Sequence, residues 1–257
     1  MPAPPLIIIP ARMAASRLPN KPLLDIGGLP MIVRVWQQAV AADIGQVFVA
    51  AGEQAICDAI SQAGGQAIMT DPNLPSGSDR VYQAILATES QYKLKSDSQQ
   101  DKQQAHDIII NLQGDLPILP ANALHALVAC MTDGVEMATL VAQITDPEQR
   151  DDPNCVKAII SWDDETNRTG RALYFTRLPA PYGEGAFYQH IGIYAYRRAT
   201  LARFVGLPVS ALERRERLEQ LRALEAGMHI QVARIDEVPF AVDTPADLEK
   251  ARQLLGS

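Results

Sequence analysis

The stretch LIIIPARMAASRLPNKPLLDIGG, residues 6–28, joins an apolar run to a loop that carries three cations. The run 6–11 has no charged side chain, which is typical of a strand buried on both faces of a sheet. Arg12, Arg17 and Lys21 follow it closely. Ligands of open parallel sheets bind beyond the carboxyl ends of the strands, so this loop is a candidate binding site.

Apolar segments of strand length alternate with segments of helical period through the first half of the chain. The strand-like segments are PLIIIP (5–10), QVFVAA (46–51), QAIMT (66–70) and DIIINL (107–112). The helical segments lie at 31–42, 53–63, 78–90 and 121–131. Strands that are apolar on both faces and joined by helices predict an α/β fold with a mostly parallel central sheet flanked by helices.

Composition narrows the class of protein before any motif is considered. The 257 residues suit one or two domains, and 23 basic against 30 acidic residues give a formal net charge of −7. This charge argues against a nucleic acid or an anionic membrane as partner. The 3 cysteines lie far apart without metal-ligand spacing, and no leader or membrane-length apolar run is visible. We therefore predict a soluble cytoplasmic protein.

Two stretches depart from the alternating pattern. Residues Lys93–Asp107, KLKSDSQQDKQQAHD, are polar and Gln-rich, which predicts a solvated or disordered insertion without function. From Cys155 to Tyr196 the segments CVKAIIS, RALYF and QHIGIYAY predict antiparallel strands. We therefore predict a single domain, 1–257, that contains a smaller antiparallel sub-lobe at about 155–210.

The cationic loop suits an anion of several charges. Pro10 and Pro19 stiffen it, so that Arg12, Arg17 and Lys21 can converge on one ligand. Guanidinium and ammonium groups fit phosphate oxygens, and a triphosphate is the ligand that we expect. The spacing alone equally permits a loop of solvated side chains.

Two aspartates are candidate metal ligands. Asp115, in NLQGDLP, ends a central-looking strand after a glycine, and a carboxylate beside a triphosphate is repelled unless a divalent cation lies between them. In FAVDTPADLEKAR, Thr244 and Asp247 predict a capping box, which does not require Asp243. Asp243 is therefore a second Mg²⁺ ligand or a residue that favours the helix dipole, and Asp115 alone could be structural.

Five motifs in order extend over nearly the whole chain. They are IIIPARMAASRLPNKPL (7–23), NLQGDLP (111–117), QHIGIYAY (189–196), LERRERLEQLR (212–222) and VDTPADLEKAR (242–252). Together they resemble the 3-deoxy-manno-octulosonate (Kdo) cytidylyltransferases of Gram-negative bacteria. The resemblance implies a nucleotidyltransferase-type α/β fold, a homodimer, Mg²⁺ as cofactor, and the conversion of CTP and Kdo to CMP-Kdo and pyrophosphate for lipopolysaccharide synthesis.

The same resemblance implies the roles of residues at the nucleotide. Arg12 and Lys21 match triphosphate-binding positions, Asp115 and Asp243 match Mg²⁺-ligand positions, and these four form the implied catalytic group. The implied nucleotide-binding residues are Ala11, Arg12, Arg17, Lys21, Ser76, Gly77, Arg80, Gln113 and Asp115. The implied reaction is an in-line displacement at the α-phosphate by the anomeric hydroxyl of Kdo, and no side chain stands out as a general base.

For the sugar acid, periodicity and resemblance are combined. In a strand through HIGIYAY, His190 and Tyr194 face one way and the apolar residues between them face the other. On a helix from Ser210, Glu216 and Gln220 share a face. The implied sugar-binding residues are Arg177, His190, Tyr194, Glu216 and Gln220. Without the resemblance, a satisfied polar His190 and a solvated Glu216 are the simpler interpretations.

The chain departs from the family pattern at several points, and alternatives stay open. Leu116 stands where the family has Glu in QGDEP, LERRE replaces LEHIE, and the segment between Pro179 and Phe187 is short. A CMP-sialic acid synthetase would carry a QPTSP-like stretch in place of QGDLP, and an 8-amino-Kdo cytidylyltransferase is a further alternative. A nucleotide-binding regulator without activity would be favoured only if the metal carboxylates were absent.

Overall fold

The computed structural model describes residues 3–14, 18–95 and 106–256. The chain divides into two compact units, one made of Met1–Ala121 with Pro239–Ser257 and the other of Asn122–Val238. Arg17 and most of the predicted insertion at Lys93–Asp107 lie outside the described residues. No helix within the described ranges is long and apolar enough to cross a membrane. The single domain of 1–257 stays a prediction.

Parallel strands and helices build the first unit. Its strands are β1 Leu6–Ala11, β2 Asp25–Ile26, β3 Leu29–Pro30, β4 Gln46–Ala51, β5 Gln66–Met69 and β6 Ile108–Asn111. Its helices are α1 Met31–Ala41, α2 Gln54–Gln62, α3 Gly77–Lys95 and α9 Pro245–Leu255, with one 3-10 turn at Lys21–Leu23. The order β5-β4-β1-β6 is parallel throughout, with Ile8 opposite Phe48 and Ile7 opposite Ile110. Every residue of β1 is buried, as its sequence predicts.

The C-terminal helix belongs to this first unit. A buried cluster joins α9 to the segment that follows β1, and its members are Leu18, Ile26, Met31, Val242, Leu248 and Ala251. Burial of such side chains is the main source of stability for the contact. The cluster therefore ties the stretch that contains Asp243 to the segment that contains Lys21.

The second unit has strands of both directions. Its strands are β7 Met137–Ile144, β8 Lys157–Trp162, β9 Thr169–Thr176, β10 Phe187–Arg197 and β11 Ile230–Ile235. Its helices are α4 Ala123–Ala129, α5 Pro147–Asp151, α6 Arg198–Val205, α7 Ala211–Glu216 and α8 Leu221–Glu225. In the order β10-β7-β11-β9-β8, only β7 and β11 are parallel neighbours. Because β8 also pairs with β10 through Lys157 and Gln189, these five strands close on themselves.

The predicted α/β class is confirmed, but the strands of the chain are mixed in direction rather than mostly parallel. The prediction of parallel strands holds for the first unit alone. Antiparallel strands also extend beyond 155–210, since β7 begins at Met137 and β11 ends at Ile235. An apolar run indicates that a strand is buried on both faces. A closed antiparallel arrangement buries both faces of a strand, as a parallel sheet covered by helices does.

Candidate active site

A pocket at the carboxyl ends of β1 and β6 collects the predicted nucleotide-binding residues. Its volume is about 310 Å³. It is lined by Pro10, Ala11, Arg12, Ala14, Lys21, Pro22, Met31, Leu74, Ser76, Gly77, Arg80, Gln113, Gly114 and Asp115. Every residue predicted to bind the nucleotide lines this pocket, apart from Arg17, which the structure does not describe. The fold thus brings the set together, and its role in nucleotide binding stays a prediction.

Lys21 lies between the two predicted metal ligands. Its Nζ donates to Asp115 Oδ2 at 2.8 Å and to Asp243 Oδ1 at 2.9 Å. The Lys21 side chain is 14% exposed. Burial alone would lower the pKa of Lys21, but the two carboxylates outweigh burial and raise this pKa above its ordinary value. A lysine therefore offsets part of the negative charge of the carboxylate pair, which the sequence argument does not anticipate.

The backbone around both aspartates is held by hydrogen bonds. The amide of Val242 donates to the carbonyl of Asp115 at 3.0 Å, so the two segments run side by side. The predicted capping box of α9 is confirmed, because the side chain of Thr244 accepts from the amide of Asp247 and the carboxylate of Asp247 accepts from the amide of Thr244. The same carboxylate also accepts from the amide of Asp243 at 3.1 Å. These contacts orient Asp243 towards Lys21.

Close backbone contact explains the glycine before Asp115. A Cβ atom at Gly114 would lie 2.8 Å from the carbonyl oxygen of Pro10. Since this distance is shorter than a normal contact, any side chain at residue 114 would push the Asp115 turn away from β1. The next residue, Leu116, is 7% exposed and belongs to the buried interior.

Two arginines supply further positive charge to the lining of the pocket. Arg80 is 2% exposed and donates to Thr70 Oγ1 at 2.6 Å and to the carbonyl of Pro72 at 3.2 Å. Burial and the nearby charge of Arg12 lower the pKa of Arg80. Arg12 itself is exposed, and its guanidinium donates to the carbonyl of Leu74 at 3.4 Å. Arg12 is thus free to turn towards an anion, whereas Arg80 is fixed.

Sequence reasoning missed the contact of Glu53 with the cationic loop. Its carboxylate accepts from the amide of Met13 at 2.9 Å, so it holds the start of the cationic loop. The signal that could have found it is position, because Glu53 follows the carboxyl end of β4 just as Arg12 follows that of β1.

The start of α3 completes the pocket. Ser76 caps the helix, since its Oγ accepts from the amide of Asp79 at 3.2 Å and donates to Asp79 Oδ2 at 2.7 Å. Gly77, the first residue of the helix, lies near Gln113, whose amide donates to Asn111 Oδ1 at 3.1 Å. The positive end of the dipole of a 19-residue helix therefore faces the same space as Arg12 and Lys21.

The donor set at Lys21 fits a magnesium ion. Asp115 and Asp243 offer hard carboxylate oxygens that meet at one point, and Mg²⁺ is commonly bound through one or two carboxylates with phosphates and waters as the other ligands. Within the described ranges, no group of three or more His, Cys, Asp or Glu side chains is arranged to hold a metal ion. The candidate metal site is therefore this carboxylate pair, which a nucleotide and water would have to complete.

In the second unit, His190 is enclosed by aromatic and hydroxyl groups. Its Nε2 lies 3.2 Å from Thr139 Oγ1 and 3.0 Å from the hydroxyl of Tyr194, and its ring meets that of Phe175 edge to face. Part of the residue stays exposed, yet burial of the ring lowers the pKa of His190 to about 3. His190 is thus neutral near pH 7 and serves as a donor or an acceptor without charge. Thr139 and Phe175 are partners that sequence reasoning missed.

Glu216 and Gln220 do not share one helix, which corrects the periodicity argument. The helix α7 ends at Glu216, and Arg217 has a left-handed φ of 57°, so Gln220 lies across a break. Both oxygens of Glu216 are engaged, one by the hydroxyl of Thr176 and the other by the amide of Arg177, at 3.1 Å each. The solvated alternative for Glu216 is therefore wrong.

Gln220 has an unsatisfied donor. The residue is 4% exposed, and its Nε2 has no hydrogen-bond partner among the residues that the structure describes. A buried amide without a partner is destabilising unless a ligand or water completes it. Burial, Tyr196 and the carboxylate of Glu219 hold the pKa of Tyr194 well above its ordinary range.

The guanidinium of Arg177 donates hydrogen bonds to three backbone carbonyls of the protein. Its Nε donates to the carbonyl of Glu216 at 2.8 Å, its Nη1 to that of Pro153 at 2.9 Å and its Nη2 to that of Arg217 at 3.4 Å. This guanidinium clamps the end of α7 to the loop before β8. Its contact with a sugar carboxylate stays a prediction.

Comparison with known sequences agrees with the motifs. A cytidylyltransferase family model matches residues 6–230. A 3-deoxy-manno-octulosonate cytidylyltransferase from Parvibaculum lavamentivorans is 56% identical over 252 residues, which cover 98% of this chain and 92% of the relative. A protein of the same name from Rhodospirillum rubrum is 50% identical over 256 residues, 99% of this chain and 96% of the relative.

Solved structures agree at the level of the fold. A CMP:2-keto-3-deoxy-manno-octonic acid synthetase complexed with CTP superposes with a TM-score of 0.83 at 38% identity and covers 98% of both chains. A nucleotidyl transferase from Methanothermobacter has a TM-score of 0.60 at 14% identity over 98% of this chain and 97% of the other. The second likeness concerns the fold alone.

Proposed function

The chain belongs to the 3-deoxy-manno-octulosonate cytidylyltransferase family, and from this membership we infer that it converts CTP and Kdo to CMP-Kdo and pyrophosphate. CMP-Kdo would serve as the activated sugar for lipopolysaccharide biosynthesis. The observation that carries the proposal at the level of residues is the contact of Lys21 with Asp115 and Asp243 in the pocket that Arg12 and Arg80 also line.

The proposed reaction is an in-line displacement at the α-phosphate. The anomeric hydroxyl oxygen of Kdo forms the new bond to phosphorus, the bond to the β-phosphate oxygen breaks, and the hydroxyl proton is released to solvent. Arg12, Lys21 and the start of α3 neutralise the triphosphate and hold it in line. Arg80, which is held by hydrogen bonds to Thr70 and to the carbonyl of Pro72, contributes a fixed charge.

We propose that Asp115 and Asp243 hold Mg²⁺ when the nucleotide is bound. Magnesium held by these residues would neutralise charge on the phosphates and would lower the pKa of the attacking hydroxyl. The protein's part is to aim the carboxylates, which it does through the hydrogen bond from Val242 to Asp115 and the bond from Asp243 to Asp247. Support for the metal comes from the donor chemistry of this pair.

The acceptor sugar is proposed to bind to the second unit. Its hydroxyls need neutral donors and acceptors, which His190, Tyr194 and Gln220 offer, and its carboxylate needs a cation such as Arg177. The amide of Gln220 supports this assignment, because no residue that the structure describes accepts a hydrogen bond from its Nε2.

Pyrophosphate release measures the reaction directly. We expect purified protein with Mg²⁺ to release pyrophosphate from CTP with Kdo, and to do so much more slowly with UTP, ATP or GTP. The acceptors to compare are Kdo, its 8-amino analogue and sialic acid. Turnover with sialic acid but not with Kdo would contradict the proposal, and preference for the 8-amino analogue would revise its acceptor.

Gln220→Leu tests the sugar side. Because leucine removes an unsatisfied buried donor, we expect the free protein to become more stable by about 1 kcal/mol, while the KM for Kdo rises about tenfold. Urea denaturation and steady-state kinetics measure the two effects, and CTP binding should not change.

The matched control for this variant is Gln231→Leu. The amide of Gln231 already donates to Asp163 at 2.7 Å, so its loss should lower stability and leave the KM for Kdo unchanged. A Gln220→Leu protein that is destabilised with a normal KM would show that Gln220 is a structural residue.

Two further properties are proposed from the family resemblance. We place the enzyme in the cytoplasm and expect it to act as a homodimer. Light scattering would then give twice the chain mass of 28.0 kDa, and a mass equal to one chain would contradict this assembly.

A further inference from the structure

Lys21 is placed to contact two different groups, the carboxylates of Asp115 and Asp243 and the phosphates of a bound nucleotide. Its ammonium contacts both carboxylates, at 2.8 Å from Asp115 and 2.9 Å from Asp243. The same residue also lines the pocket proposed for the triphosphate. The ammonium has three N–H donors, and the two carboxylates take two of them. A phosphate can therefore receive more than one hydrogen bond from Lys21 only when the carboxylates release it.

A divalent cation would meet Lys21 on the same oxygens. Carboxylate oxygens approach Mg²⁺ to about 2.0–2.1 Å, so an ion shared by Asp115 and Asp243 needs the space at which the ammonium now lies. Two cations at contact distance repel each other strongly in a partly desolvated site. The side chain of Lys21 is mostly buried there, with 14% of its surface exposed.

Only the side chain of Lys21 is free to move. Its amide donates to the carbonyl of Leu18 at 3.1 Å, and its carbonyl accepts from the amide of Leu24 at 3.2 Å. Asn20 before it has a left-handed φ of 57°, which fixes the direction of the chain at the turn. The four rotatable bonds of a lysine side chain are then enough to carry the ammonium from the carboxylates to the pocket.

We propose that Lys21 is the internal counter-ion of Asp115 and Asp243 and competes with the divalent cation, so that metal and triphosphate binding are coupled through its side chain. In the free protein, Lys21 prevents two carboxylates from repelling each other. When the metal binds, Lys21 leaves the carboxylates and turns to the phosphates. The proposal rests on the proposed function, because it assumes that this pair is the metal site.

Metal binding without nucleotide tests the competition. If Lys21 occupies the carboxylates for about nine-tenths of the time, the apparent Kd is about tenfold weaker than the intrinsic Kd. We therefore expect Lys21→Met to bind Mn²⁺ about tenfold more tightly than the wild type in titrations followed by electron paramagnetic resonance of free Mn²⁺. Unchanged, weaker or undetectable Mn²⁺ binding by Lys21→Met would overturn the proposal.

The matched control separates direct competition from general electrostatics. Arg12 lines the same pocket with the same charge but makes no contact with either carboxylate in the described structure. Arg12→Met should therefore change the Kd for Mn²⁺ by less than about threefold, since an exposed charge is screened. An equal gain in affinity for Mn²⁺ in both variants would show that removal of any positive charge strengthens metal binding, which would overturn the proposal.

A second measurement needs no loss of the lysine. In wild-type protein labelled with ¹⁵N-lysine, the ammonium signal of Lys21, assigned with Lys21→Arg, should shift when Mg²⁺ is added. The signal should not shift in Asp115→Asn/Asp243→Asn. A wild-type signal unmoved at saturating Mg²⁺ would overturn the proposal even if Lys21→Met failed to fold.

The two proposals fail in different ways. Pyrophosphate release that needs no divalent cation would remove the metal assignment and therefore the proposed mechanism. Mg²⁺-dependent release together with an unmoved Lys21 signal would leave the proposed function intact and reject the coupling alone.

Discussion

Replacing Asp115 or Asp243 by Asn is expected to lower turnover by about two orders of magnitude or more, because each change removes one charge from the proposed metal site. The structure makes the pair a unit, since both carboxylates contact one nitrogen atom although the chain separates them from Lys21 by 94 and 222 residues. The double variant should be little worse than either single one, as groups that serve one metal are non-additive. Pyrophosphate release at saturating Mg²⁺ is the measurement.

Asp58→Asn is the control for this experiment. It makes the same chemical change on the exposed face of α2, where Asp58 accepts a hydrogen bond from Gln54 at 2.8 Å. Turnover should be normal in this variant. Asp115→Asn and Asp243→Asn should both stay folded, because Lys21 keeps one carboxylate partner in each. Losses that multiply in the double variant, or near-normal Mg²⁺-dependent activity in a single one, would contradict the shared site.

Arg222→Met is expected to destabilise the protein by about 3 kcal/mol, because it leaves a buried carboxylate without its partner. Arg222 binds Glu213 through two hydrogen bonds, of 2.8 Å and 2.6 Å, and the two side chains are only 10% and 12% exposed. The guanidinium also lies 5.3 Å from the ring centre of Phe204. The measurement is the free energy of unfolding of the wild type and of Arg222→Met, obtained by urea denaturation.

Two variants bracket this prediction. Glu213→Gln/Arg222→Met should recover most of the stability, since no buried charge is left unpaired. Arg168→Met removes an exposed pair with Asp236, whose side chains are 55% and 65% exposed, and should change stability by less than about 0.5 kcal/mol. If Arg168→Met and Arg222→Met lowered the free energy of unfolding equally, the prediction that the buried pair contributes more than the exposed one would be wrong.

The same ion pair predicts the direction of the pH dependence. Burial by itself would raise the pKa of Glu213, but the hydrogen bonds from Arg222 and Ser210 outweigh burial and hold this pKa below its ordinary value. A carboxyl whose pKa is lowered by folding stabilises the protein above its unfolded-state pKa and loses that contribution as the pH falls through the folded-state pKa. Lowering the pH should therefore reduce the difference in the free energy of unfolding between the wild type and Arg222→Met.

Features that depend on neighbours in the chain were predictable from the sequence. The buried strand at Leu6–Ala11 and the capping box of Thr244 with Asp247 both follow from residues within a few positions of one another. The five ordered motifs also determined the family before any contact was known. Local sterics and local hydrogen bonds are sufficient to predict such elements, because they depend little on distant parts of the chain.

Only the tertiary structure decided which distant groups meet and which strands are neighbours in the second unit. Nothing in the spacing of Lys21, Asp115 and Asp243 indicates that an ammonium would lie between the carboxylates, because that contact depends on how α9 packs and how Val242 pairs with Asp115. The antiparallel direction of β8 and β9, within 155–196, was predicted from the sequence and is confirmed. The parallel pairing of β7 with β11 was not predicted, because the burial pattern of an apolar run is the same for both strand directions. The left-handed Arg217 and the unsatisfied amide of Gln220 likewise arise from packing across the chain, which no local pattern encodes.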